Sequence, residues 1–173
     1  FNPGNLTTIS QKLVSAAAIA HLQTGLVIAS HTGPAVAAQE EIEILKKNGV
    51  SPEGFIWVHA QNETDWNQYV KFARSEAWVS LDGLNESNVS TYTDMLLLMK
   101  KEKCLHRTLI SHDAGWYEPG KPDGGNFRGF TALFTRLVPS LKASGFSASE
   151  IQQLIQTNPQ QAFTIRVRKW PRG

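Results

Sequence analysis

Four short apolar runs alternate with longer segments of helical periodicity along this chain. Leu26-Val27-Ile28-Ala29, flanked by Gly25 and Gly33, reads as a buried strand reaching Ser30, with His31 opening the next loop. Phe55-Ile56-Trp57-Val58 runs into His59, Ala77-Trp78-Val79-Ser80-Leu81 into Asp82, and Thr108-Leu109-Ile110-Ser111 into His112 and Asp113. A first helix, capped by Thr7, Thr8 or Ser10, is predicted to run to about Thr24, where Gly25 ends it. Further helices are predicted over residues 35–47 (Ile42 and Leu45 inward), 64–75, 87–101, 129–144 and 147–157. A Gly/Pro-rich loop over residues 114–126 carries Trp116 and Tyr117, and residues 166–173 read as a frayed basic tail.

Strand and helix alternating in this way predict an α/β fold with a parallel sheet covered on both faces. In such sheets function collects beyond the carboxyl ends of the strands. His31, His59, Asp82 and Asp113 all map to that rim. Imidazoles and carboxylates converging from neighbouring strands suit a divalent metal, which acidifies a bound water and polarises the bond under attack. Asp113 is then a ligand, a general base for that water, or both.

The other candidates are assigned to structure. His21 sits on a helix and His106 at the opposite end of a strand. Strand alternation points His112 away from Asp113, so it packs behind the rim. Met95 and Met99 lie on a helix face and fill core space. Cys104 is expected as a half-buried structural thiol.

Composition narrows the function classes. The chain has 173 residues and a formal net charge of +2, without the clustered Lys and Arg of a nucleic-acid surface. Its densest basic run, Lys100, Lys101 and Lys103, falls at a helix end, where cations suit the dipole. No apolar run reaches membrane-spanning length and no signal peptide is evident. With one cysteine, this points to the cytoplasm, and the sequons at Asn5, Asn62, Asn85 and Asn88 are read as unused. No glycine-rich phosphate fingerprint follows any strand, which ranks a free-standing anion-binding domain last.

The residues also resemble a known family. Ala16-Ala17-Ala18 with Ala20-His21 and Thr24-Gly25, then Ser30-His31-Thr32, Val58-His59, Leu81-Asp82, Ile110-Ser111-His112-Asp113 and Thr157-Asn158-Pro159, in this order, are similar to the phosphotriesterase family of the amidohydrolase superfamily. The resemblance runs to about Phe163. It implies a (β/α)8 TIM-like barrel with two divalent metals, usually zinc, with manganese or cobalt as alternatives. His31 would be the ligand of the fifth strand and His59 of the sixth. Asp113 would be the ligand of the eighth and the acceptor of a proton from the bridging hydroxide. Trp116 and Tyr117 would border the leaving-group or acyl pocket, with Asp82 and Asn62 behind the ligands.

Two departures shape the expectation. The family's first-strand His-x-His and fourth-strand carboxylated lysine are not in this sequence, and residues 1–4 resemble the segment just after that lysine. Residues 1–165 are therefore expected to be the C-terminal half of the barrel, with strands five to eight. That leaves two open edges, to be covered by the N-terminal half or by a second copy in a homodimer. Alone, the half keeps His31, His59 and Asp113, enough for at most one weak three-ligand site, and is expected to be inactive. Second, Asn62 and Gly83 stand where phosphotriesterases carry a proton-shuttling acid and histidine, which leaves lactones and carboxylic esters at least as apt as phosphotriesters. The rival is a non-catalytic barrel fragment or interaction module without metal.

Overall fold

The computed structural model describes residues 5–171. Residues 1–4, where a turn and the family-like start were expected, and residues 172–173 lie outside them. The chain order is α1 (Thr8–Thr24), β1 (Ile28–His31), α2 (Ala35–Lys47), β2 (Phe55–Val58), α3 (Asn67–Arg74), β3 (Trp78–Leu81), α4 (Val89–Lys101), β4 (Thr108–Ile110), α5 (Val138–Ala143), α6 (Ala148–Gln152) and α7 (Asn158–Phe163). The strands form one sheet in the order β1-β2-β3-β4, every pair parallel. That is the α/β alternation expected, with a helix covering each crossover.

Helix boundaries follow local chemistry. Thr7 caps α1 by accepting from the Ser10 N–H, and Gly25 ends it in the left-handed region at φ 73°. Ser147 and Glu150 form a reciprocal capping box at the start of α6. Two boundaries differ from expectation for one reason. A wide π turn over Leu133–Leu137 precedes α5, and another over Gln153–Thr157 joins α6 to α7, so the helix continues through Asn158 to Phe163. Pro139 and Pro159 each follow such a turn. Their rings have no N–H and crowd the preceding carbonyls, and a widened turn accommodates both problems.

Strand alternation divides the sheet into two faces. Ile28, Phe55, Trp57, Val79, Leu81 and Ile110 meet the helices in the main core, where Trp57, Leu81, Tyr69, Phe72 and Leu96 are almost fully buried. The other face carries a smaller cluster of Ile56, Trp78 and Leu109, onto which Ala162 of α7 packs. β1 begins two residues later than the apolar run suggested: pairing starts at Ile28 with Phe55, and Leu26 is left 56% exposed. His31 is therefore the last residue of the strand and not the first of the loop.

The basic tail is a second correction. Residues 166–170 cross the amino-terminal ends of the elements with regular pairing: Arg166 N–H to the Gly25 carbonyl, Ser51 N–H to the Arg168 carbonyl, Trp170 N–H to the Gly49 carbonyl. Arg168 is 4% exposed, and its guanidinium donates to the carbonyls of Gln161, Ala162 and Thr164 at the end of α7. His21 locks the segment, receiving the Arg168 N–H on Nε2 at 2.9 Å while Nδ1 faces the Leu26 carbonyl at 2.7 Å. A charge that caps a helix from inside is held, not frayed.

Candidate functional site

The carboxyl ends of the strands carry the polar groups of interest. His59 follows β2 in the left-handed region, φ 60° and ψ 32°, which swings its ring out of the strand alternation. Its Nδ1 lies 2.6 Å from Asp82 Oδ1, and its backbone N–H donates to Asp82 Oδ2 at 2.9 Å. The ring of His31 stands edge-on to it, centroids 4.2 Å apart and planes at 89°. With Nδ1 committed to the carboxylate, Nε2 is the nitrogen His59 has left for another partner.

Asp82 is 5% exposed and accepts from four donors: His59 twice, Ser80 Oγ at 2.9 Å and Gln61 Nε2 at 2.9 Å. A buried carboxylate needs this number of donors to stand in for water. Asn62, expected behind the ligands, is exposed in the short helical turn Ala60–Asn62, and its backbone N–H donates to the His59 carbonyl. Gln61 takes the position beside Asp82.

Asp113 follows β4, also left-handed at φ 43°, and is exposed. His59, Asp82 and Asp113 border one cavity of about 340 Å³, whose floor is Ala29, Ile56, Val58, Leu109 and Phe163 on the less-covered face of the sheet. Trp116 and Tyr117 lie outside it, 67% and 72% exposed, although Trp116 Nε1 donates to the Asp113 carbonyl. Arg128 ties the same strand end down through the carbonyls of His112 and Asp113. His112 is buried, receives the Leu133 N–H on Nε2, and is held neutral more firmly than usual by burial, with the Arg128 charge adding to the effect. It packs behind the rim, as alternation predicted.

On the helical side of β1, Glu41 of α2 is 5% exposed and accepts from Ser30 Oγ and Thr32 Oγ1, both at 2.8 Å. These two residues flank His31, so one carboxylate fixes the strand end from behind. Burial raises the Glu41 carboxyl above its ordinary value, while the two hydroxyls pull it back.

The metal test gives a divided answer. The His31–His59 pair and the Asp82 hydrogen bond to His59 Nδ1 are what a histidine-liganded metal uses, since a carboxylate behind the ring fixes its tautomer. Among the described residues, however, no three His, Cys, Asp or Glu side chains are grouped to hold a metal ion.

Gln61, Ser80 and Glu41 were not singled out from sequence. Ser80 was readable, being two residues before Asp82 and therefore on the same strand face. Gln61 and Glu41 carried no local signal.

A parallel α/β sheet with paired imidazoles over a buried carboxylate at its carboxyl rim defines the class. A family model adds the name: the chain belongs to the phosphotriesterase family, which matches over residues 2–163. It is 29% identical over 165 residues to the phosphotriesterase homology protein of Escherichia coli, covering 92% of this chain and 55% of that protein. Solved structures similar to it include a phosphotriesterase from Mycobacterium tuberculosis (TM-score 0.80, 20% identity, 96% of this chain and 54% of that one). Another is a lactonase from Listeria monocytogenes (TM-score 0.81, 24% identity, 94% and 53%). The chain thus spans about half the length of the relatives it matches.

Proposed function

We propose that this chain is the C-terminal half, strands five to eight, of a (β/α)8 hydrolase acting on lactones, carboxylic esters or phosphotriesters. The half-barrel reading is supported by the half-length match and by an apolar surface on α1, where Ile9, Leu13 and Ile19 are 72%, 66% and 53% exposed. The N-terminal half, or a second copy of this chain, would cover that surface and extend the sheet beyond its outer strands, β1 and β4. Lactone and ester substrates enter from the lactonase likeness and from uncharged Asn62 and Gly83, which stand where the resemblance places an acid and a histidine.

The observation that carries the catalytic reading is the Asp82–His59–His31 arrangement at the rim. Two divalent ions, zinc in the first place, would be held by His31, His59 and Asp113 together with donors from the rest of the barrel. When bound, they supply Lewis acidity toward the ester oxygen and toward water. The chain's own residues do the rest. Asp82 holds His59 in the Nδ1–H tautomer, Glu41 fixes the strand around His31, and Asp113 takes the proton of the attacking water at its carboxylate. Trp116 and Tyr117 border the acyl or leaving-group side, their loop anchored to the Asp113 carbonyl.

Asp113→Asn in the complete protein tests this: turnover falls by about 10²–10⁴-fold, the usual contribution of a positioned acid or base, with metal content retained. Unchanged turnover rejects the role. The rival is a non-catalytic barrel fragment or interaction module without a metal site. Metal analysis of the complete protein separates the two: no bound zinc, manganese or cobalt, and no response to adding them, supports the rival.

A further inference from the structure

Gly83 follows Asp82 at the rim, and its backbone does not need glycine's freedom: it is not among the glycines with positive φ. What it needs is space. A Cβ at this position would lie 2.9 Å from Gln61 Nε2 and 3.2 Å from the Tyr92 hydroxyl. The hydroxyl is fixed, because it accepts the Gly83 N–H at 2.7 Å and its ring is 2% exposed. Gln61 is the group that would have to move.

Gln61 is itself held at both ends by one residue. Its Nε2 donates to Asp82 Oδ1 at 2.9 Å, and its Oε1 accepts the Asp82 N–H at 3.0 Å. The reciprocal pairing assigns the amide, since the flipped carboxamide would set donor against donor and acceptor against acceptor. It also binds backbone and side chain of Asp82 at once, so the carboxylate cannot rotate away from His59 without breaking the clamp.

We propose that Gln61 is a positioning residue which aims Asp82 at His59 Nδ1, and that position 83 is glycine because Gln61 fills the space above it. Gln61 lies in the turn Ala60–Asn62 directly after His59, so one turn delivers both the ring and the clamp on the ring's partner. The clamp is uncharged. It orients the carboxylate without competing for the imidazole proton, as a second acid there would. Its catalytic purpose rests on the hydrolase reading above, but the clamp is a property of this chain alone.

The test uses the chain without metal, at a pH where the imidazole is neutral, and reads the His59 tautomer and Nδ1–H exchange by ¹⁵N-resolved NMR. Gln61→Met, nearly isosteric and apolar, is expected to speed Nδ1–H exchange by about tenfold, the loss of one hydrogen bond to a charged group. It should also admit the Nε2–H tautomer. Gly83→Ala is expected to do the same with Gln61 intact. In a Gln61→Ala background, Gly83→Ala adds less than it does beside Gln61, because its methyl then meets only the Tyr92 hydroxyl, at 3.2 Å. Gln61→Ala alone provides the comparison if the methionine variant folds poorly. An unchanged tautomer and exchange rate in folded Gln61 variants overturns the proposal, as does additivity of the changes at positions 61 and 83. Failure of the hydrolase reading would appear instead as missing metal and turnover in the complete protein, with these NMR signatures intact.

Discussion

The two faces of the sheet are built from the same four strands and differ in almost everything else. On the helical face, large side chains such as Trp57, Leu81 and Val79 meet Tyr69, Phe72 and Leu96, all of them essentially inaccessible to water. On the other, Ile56, Trp78 and Leu109 form a small cluster under a cavity, and the strand ends carry Ser80, Asp82 and Asp113. One face has spent its volume on packing. The other keeps space and puts charge at its edge, and both left-handed non-glycine residues of the rim, His59 and Asp113, follow strands there. Backbone strain of about 1–3 kcal/mol per residue persists only where the surroundings hold it in place. Asp82 gives that support to the His59 N–H, and Arg128 and Trp116 give it to the Asp113 carbonyl.

Matched leucines make the contrast measurable. Leu81→Ala should fall near the upper end of the ~2–5 kcal/mol range for buried leucines, since no open space adjoins it. Leu109→Ala, at the wall of an existing cavity, should fall near the lower end in chemical denaturation. Equal losses would mean that the faces do not differ in packing.

Glu41 gives the next test because it places a carboxylate inside the well-packed side. Its folded-state pKa is raised, so the folded chain holds the proton more tightly than the unfolded one. Stability therefore falls as pH rises from the ordinary value of 4.5 through the raised one, and the penalty is complete above it. Glu41→Gln should gain on the order of 1 kcal/mol at neutral pH, with the gain shrinking toward pH 4 in thermal melts. A gain that does not change with pH would remove the carboxylate from the account.

The smallest effect belongs to Asp113. Exposed and left-handed, it should lose nothing on replacement by glycine; Asp113→Gly is expected to gain about 0.5 kcal/mol while removing the carboxylate proposed to take the proton. A clear loss of stability would show that Asp113 supports the fold as well.

The alternation of strands and helices, the parallel order and the inward Ile42 and Leu45 were legible because each rests on periodicity within one segment. The lengths of the last helices were not, because Pro159 ends a helix by local rules and here only widens one turn. At the rim, His31, His59, Asp82 and Asp113 could be singled out because the end of an apolar run is a local signal; the left-handed backbone at His59 and Asp113 could not. The partners of Asp82 did not follow. Gln61 reaches it from 21 residues away, and nothing in a polar loop distinguishes it from exposed Asn62 next door. The tail was misread for a similar reason: a cationic stretch reads as solvated until a helix end is seen to enclose Arg168.

The hydrogen bond from Arg168 to His21 spans 147 residues of chain. A contact of that separation must await closure of the whole intervening loop, which places it late in folding. During synthesis, at about 5–20 residues per second, the earlier βα units have time to order before Arg168 leaves the ribosome. The first long helix then waits for the last described residues to become fastened, and a chain cut short after Phe163 would reach the cell with that seam undone.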